Sequence, residues 1–172
     1  MSQGWLARLF EQHPVPTSFA APGMAVGNQM FGPLAGSRSI AVAEVERFTR
    51  QAQLATPAKA RGPAALRHVM AVESDVVHAA SKLPGGTTGN AAAAPVVSTS
   101  SASAFPAGPF GNALRMASDI IASKSVAAAG AAVYKVTLDG FDTHQNQPGV
   151  QANLLRQLGE GLAAFQIGRA HV

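Results

Sequence analysis

The 172-residue sequence contains no cysteine, which excludes disulfide frameworks, thiolate zinc sites and cysteine nucleophiles together. It is also short of charge, with Asp, Glu, Lys and Arg at 13%, and short of aromatics, at 6%. The 13 basic residues exceed the 9 acidic ones by a formal +4, but they are scattered, with no Lys/Arg block and few rings to stack on bases. That pattern argues against a nucleic-acid partner. Long apolar runs are missing as well. No window approaches the ~20 residues of a membrane-spanning helix, and Met1 to Phe10 lacks the charged start and apolar centre of a secretory signal. What is present is a 47% hydrophobic content, the balance of a folded chain with a core.

Periodicity places the elements. In GWLARLF, Trp5, Leu6, Leu9 and Phe10 stand at helical spacing ahead of His13-Pro14, which predicts a short helix. The Gly- and Pro-rich stretch 14–39 reads as loops around one or two short strands. Ile40, Val42 and Val45 predict a further strand leading into a helix from Glu44 to Ala55. From Pro63 to Leu83, apolar residues repeat at three and four, with Glu73 on the seam, as in an amphipathic helix. The uncharged segment 84–109 reads as a low-complexity loop. Asn112 can cap a helix through about Ser125, and 132-AVYKVTL-138 reads as a mostly buried strand. Pro148-Gly149 predicts a turn, followed by a helix bearing Leu154, Leu155, Leu158, Leu162 and Phe165. This order is that of an α/β protein with a mainly parallel sheet flanked by helices. Residues 1–165 read as one piece of a single larger α/β domain. The last seven, QIGRAHV, interrupt an apolar stripe that is still running and can be spelled by a widely used sequencing-adapter sequence, so Gln166 to Val172 are expected to be a non-native tail.

The chemistry-bearing stretch is 139-DGFDTH-144. In an open α/β sheet, ligands bind beyond the carboxyl ends of strands, and this segment follows one directly. If residues 142–144 are extended, Asp142 and His144 point to the same face, about 6.6 Å apart along the chain. Carboxylate and imidazole are both zinc ligands, but a catalytic site needs a third ligand and an open position. The local sequence therefore leaves two readings open: a metal-ligand pair, or a turn in which Asp142 bonds nearby amides and His144 is a surface residue. Elsewhere, Asp75 and His78 read as a surface pair, and no glycine run has the spacing and Lys-Ser/Thr of a phosphate loop.

FPAGPFGNALRMASDIIA from Phe105, VYKVTLDGFDTHQNQ and LLRQLGEGLAAF together resemble a bacterial family of twin-arginine-exported proteins, the domain-of-unknown-function 1501 family, related to the alkaline phosphatase and sulfatase superfamily. GWLARLF and GMAVGNQMFGPLAG look like the middle of that family. The resemblance implies an internal fragment of an alkaline-phosphatase-like fold, a periplasmic location, and metal-assisted hydrolysis of a phosphate or sulfate ester. It implies a divalent metal ion such as zinc held by Asp142 and His144, with the nucleophile and the remaining ligands outside this chain. Asn146 and Gln147 are then either substrate-binding donors to an anionic ester or solvated loop residues. The alternative is a non-catalytic binding or accessory protein on the same scaffold. A fragment of this kind is expected to be inactive alone and to fold poorly, with unpaired sheet edges.

Overall fold

A computed structural model of the chain describes residues 3–27, 31–55, 62–83, 105–123 and 129–170, apart from the side chains of 129 and 167–170. The expected loop lies mostly outside them, at 84–104.

The first helix, α1 (Trp5–Gln12), turns Leu6 and Ala7 inward, whereas Trp5 and Leu9 remain 59% and 42% exposed. Helical spacing identified the helix but overstated its buried face. Gly4 fixes how α1 begins. Its N–H donates to the Ala35 carbonyl at 2.8 Å, and a Cβ on it would lie 2.1 Å from the Pro33 carbonyl oxygen, so only glycine lets the two backbones meet.

β1 (Phe19–Val26) is the strand within 14–39, and a 3-10 turn at Gly32–Leu34 leads to β2 (Ile40–Val42). Two helices follow, α2 (Val45–Leu54) and α3 (Ala64–Lys82). The seam of α3 buries only towards its end, at Ala79 and Ala80; Leu66, Val69 and Val72 are exposed. α4 (Pro109–Ala122) begins three residues before the expected cap at Asn112. Proline suits the first helical position because its φ is preset and its missing N–H would have no partner there. Asn112 lies inside the first turn, its backbone N–H donating to Gly108 at 3.0 Å. Gly108, with φ +104° and ψ −179°, adopts a conformation essentially restricted to glycine.

β3 (Ala129–Val136) is shifted towards the N-terminus relative to the expected 132–138. α5 (Gln147–Ala170) takes in Pro148 and Gly149, expected as a turn, as part of its first turn, for the same reason that Pro109 opens α4. Its buried stripe also differs from the expected one. Leu154, Gly161 and Ala164 are buried, while Leu155 and Leu162 are 58% and 54% exposed. Gly161 faces α4 so closely that a Cβ on it would stand 2.6 Å from Leu114 Cδ1 and 2.9 Å from Phe110 Cε1.

The three strands form a parallel sheet in the order β2-β1-β3, as expected for an α/β chain. β1 is central, pairing Met24–Val26 with Ile40–Val42 on one side and Phe19–Val26 with Ala129–Val136 on the other. Pro22 is tolerated in this central strand because it precedes the stretch where β2 pairs, so its missing N–H removes no bond to β2. Laterally paired residues share a face. Met24, Val26, Ile40, Val42 and Val136 point into the main core, against Ala113, Ala117 and Ile120 of α4 and Ala79 and Leu83 near the end of α3. On β1 the opposite face carries Gly23 and Ala25. A Cβ on Gly23 would lie 2.5 Å from Leu34 Cδ2, so the fully buried Leu34 of the 3-10 turn sits directly on that glycine. Among the described residues, β2 and β3 each pair on one side only.

Lys82 at the end of α3 fastens the start of β1. Its ammonium donates to the carbonyls of Thr17 at 2.8 Å and Phe19 at 3.2 Å. Earlier in α3, Asp75 pairs not with His78, as expected, but with Arg38, which reaches it from the loop before β2 with Nε 2.7 Å from Oδ2.

Candidate functional site at the carboxyl ends of the strands

All three strands end on one cleft of about 520 Å³. Gly27, just past β1, and Ala43, just past β2, form part of its floor, and Thr137, Leu138 and Asp139 enter it from the end of β3. The first turns of α4 and two residues of α5, Leu154 and Gln157, complete the wall. This is where an open parallel sheet presents ligands, because successive strands release their loops at the same end. Gly27 is required there for two reasons. Its φ of +85° is costly for any residue with a Cβ, and a Cβ would meet that of Ala113 at 2.8 Å. The tight turn that results brings β1 and the start of α4 together.

Phe110, Met116, Leu138 and Leu154 supply apolar walls, and Asn112, Thr137, Asp139 and Gln157 supply polar groups. A largely apolar cleft with a few convergent polar side chains is the usual construction of a small-molecule site. Asp139 already has an interaction partner within the chain. Thr137 Oγ1 lies 2.6 Å from Lys135 Nζ, which donates to it. Of these polar residues, the sequence points only to the strand-end segment containing Asp139. Asn112 carries the signal of a helix cap, and Thr137 and Gln157 carry no local signal.

Asp142 and His144 lie beyond the cleft lining, on the loop that joins β3 to α5. Asp142 Oδ1 stands 3.4 Å from His144 Nε2, so alternation along the segment does bring the two side chains to one face. Thr143 points the other way; its hydroxyl is buried without a hydrogen-bond partner among the described residues. Two donor atoms at about 2.0–2.2 Å from a tetrahedral ion stand about 3.3–3.6 Å apart, so this pair has the spacing of two ligands on one ion. The pair is nevertheless open to solvent, with side chains 93% and 87% exposed. Among the described residues, no group of three or more His, Asp or Glu side chains is placed to hold a metal.

Asn146 and Gln147 stand at the junction with α5, both exposed. Asn146 has φ +48° and accepts the backbone N–H of Val150 at 3.1 Å, so its main chain starts the helix, and a Cβ on Gly149 would lie 3.0 Å from its Nδ2. Neither side chain lines the cleft, where the amides are those of Asn112 and Gln157. A second, smaller hollow of about 160 Å³ lies at the opposite end of β1, beside Arg38, Asp75 and His78. Its polar side is taken up by the Arg38–Asp75 pair, and the hydrogen bond and charge of Asp75 hold the guanidinium pKa above its ordinary value. No described helix is long and apolar enough to cross a membrane.

No curated protein and no solved structure matches the chain. Residues 1–167 match the model of the family described as "Protein of unknown function (DUF1501)", and the chain belongs to that family.

Proposed function

We propose that this chain carries part of the active face of an exported, metal-dependent phosphate or sulfate ester hydrolase with an alkaline-phosphatase-like fold. The observation that carries the reading is the Asp142–His144 pair, two ligand-type atoms 3.4 Å apart at the carboxyl end of a parallel sheet and beside a cleft. Twin-arginine export and a periplasmic location belong to the same proposal and rest on the family resemblance. In it, Asp142 and His144 provide two ligands of a divalent ion such as zinc. When bound, such an ion polarises an ester oxygen and lowers the pKa of a coordinated nucleophile. The remaining work falls to the chain. Asn146 and Gln147 offer amide N–H groups to anionic oxygens at the mouth of the site, and the apolar walls of the cleft exclude water from the organic part of the ester.

Metal analysis of the full-length protein, with the segments that would carry the remaining ligands, tests this. The wild type is expected to hold a divalent ion, and Asp142→Ala or His144→Ala should lower the bound metal. Both side chains are almost fully exposed, so the variants should keep their circular dichroism and melting temperature, and metal loss can be read apart from unfolding. Unchanged metal content in both variants rejects the ligand assignment. A second reading is a binding or accessory protein without turnover on the same scaffold. Bound metal without hydrolysis of p-nitrophenyl phosphate or p-nitrophenyl sulfate would select it.

A further inference from the structure

Lys135 and Thr137 lie two residues apart at the carboxyl end of β3, and their contact gives the cleft a direction that composition alone does not. The Lys135 ammonium has donors only. In its 2.6 Å contact with Thr137, the threonine oxygen is therefore the acceptor, and the hydroxyl proton is left for another partner. Thr137 lines the cleft. Among the described residues, Lys135 pairs with no carboxylate, and Thr137 is the one side chain its ammonium bonds. The lysine stem is half-buried and passes the 3-10 turn, its Cε 3.5 Å from where a Cβ on Gly32 would stand. Asp139, the nearest acid along the sequence, is already engaged within the chain.

From this geometry we infer that Thr137 presents its hydroxyl as a hydrogen-bond donor to an anionic oxygen of the ester bound in the cleft, and that Lys135 is the positioning residue that orients and polarises it. The inference deepens the hydrolase reading and rests on it. A hydroxyl that accepts from a cation becomes a stronger donor, because successive hydrogen bonds polarise one another. The ligand class that uses such a donor carries an oxyanion next to an organic group that fits the walls of Phe110, Leu138 and Leu154. Aryl phosphates and aryl sulfates have that form.

Isothermal titration of the full-length protein with phenyl phosphate and with phenyl sulfate tests the pair. Thr137→Val keeps the shape of the side chain and removes the hydroxyl; it should weaken phenyl phosphate binding about ten-fold or more, the loss expected for a hydrogen bond to a charged group. Thr137→Ser should bind within about three-fold of wild type. Lys135→Met should also weaken binding, but not in a Thr137→Val background, since a residue acting through the hydroxyl has nothing left to act on. Thermal melts of each variant separate misfolding from lost affinity. If wild type binds neither probe, the hydrolase reading falls and takes this inference with it. If wild type binds and Thr137→Val binds equally well, the inference alone is overturned. An unchanged effect of Lys135→Met in the valine background would show that the lysine acts by its charge and not through Thr137, and would remove its positioning role.

Discussion

Two glycines in α5 allow the same substitution to be tested with opposite expected signs. Among the described residues, Gly159 has no heavy atom within 4 Å of where a Cβ would stand, whereas a Cβ on Gly161 would be 2.6 Å from Leu114 Cδ1 and 2.9 Å from Phe110 Cε1. Both lie inside the helix, so changing either to alanine removes a helix penalty of about 0.8–1.0 kcal/mol. At Gly159 nothing opposes that gain. At Gly161 the added methyl must push α5 away from α4 or force Leu114 and Phe110 from their rotamers, and overpacking of this kind costs about 1–3 kcal/mol. Both neighbours are themselves buried, at 7% exposure, so they have little room to give way. The helix contribution cancels between the two variants, leaving the packing cost alone as their difference, about 1–3 kcal/mol with Gly159→Ala the more stable. For a chain of this size each kcal/mol moves the melting temperature by about 2–4 °C. Differential scanning fluorimetry of the two variants beside wild type should therefore place Gly159→Ala above it and Gly161→Ala below Gly159→Ala by roughly 2–12 °C. Equal upward shifts in both would refute the close α4–α5 contact.

Two other tests follow from individual side chains. Lys82→Met leaves the carbonyls of Thr17 and Phe19 without their ammonium donor and should lower stability in urea titration by about 1–2 kcal/mol, water taking over part of the loss; an unchanged midpoint would mean the lysine does not fasten β1. Tyr134 is the single tyrosine in the chain, so its ionisation can be followed at 295 nm without interference from a second one. Burial raises its pKa above the ordinary 10.0, and the N–H donated by Ala131 at 2.9 Å pulls it only partly back. Because the folded protein holds this proton more tightly than the unfolded chain, the stabilisation is complete below pH 10 and is lost as pH rises through the folded pKa. A titration midpoint at or below 10 would contradict the burial of that ring.

The sequence made legible what depends on nearest neighbours. Repeats of three and four residues gave α3 and α5, β-branched and aromatic density gave β3, and alternation along an extended segment placed Asp142 and His144 on one face. Boundaries slip where Pro148-Gly149 reads as a turn and Asn112 as a cap, because Pro148 and Pro109 are at home in a first helical turn. The buried face of α5 was misread for a different reason. Leucines at helical spacing announce an apolar stripe, but the closest contact with α4 is made by Gly161, whose importance lies in having no side chain, and hydropathy carries no record of that. The cleft was illegible for a third reason. Gly27, Ala43, Asn112, Thr137 and Gln157 come from five separate segments and converge only once the sheet is ordered β2-β1-β3.

That strand order also governs when the protein can take shape. The central strand is synthesised well before β3, and Phe19 must wait for Ala129 before the longer of its two ladders can close. At roughly 5–20 residues per second, the wait on the ribosome is on the order of 5–20 s, during which one flank of β1 has no native partner. A strand left open for that long invites pairing with the wrong chain. The alanines, glycine and proline of β1 are poor material for such adhesion, so the residues that let the 3-10 turn settle on the finished sheet also keep the nascent chain from sticking before the sheet exists.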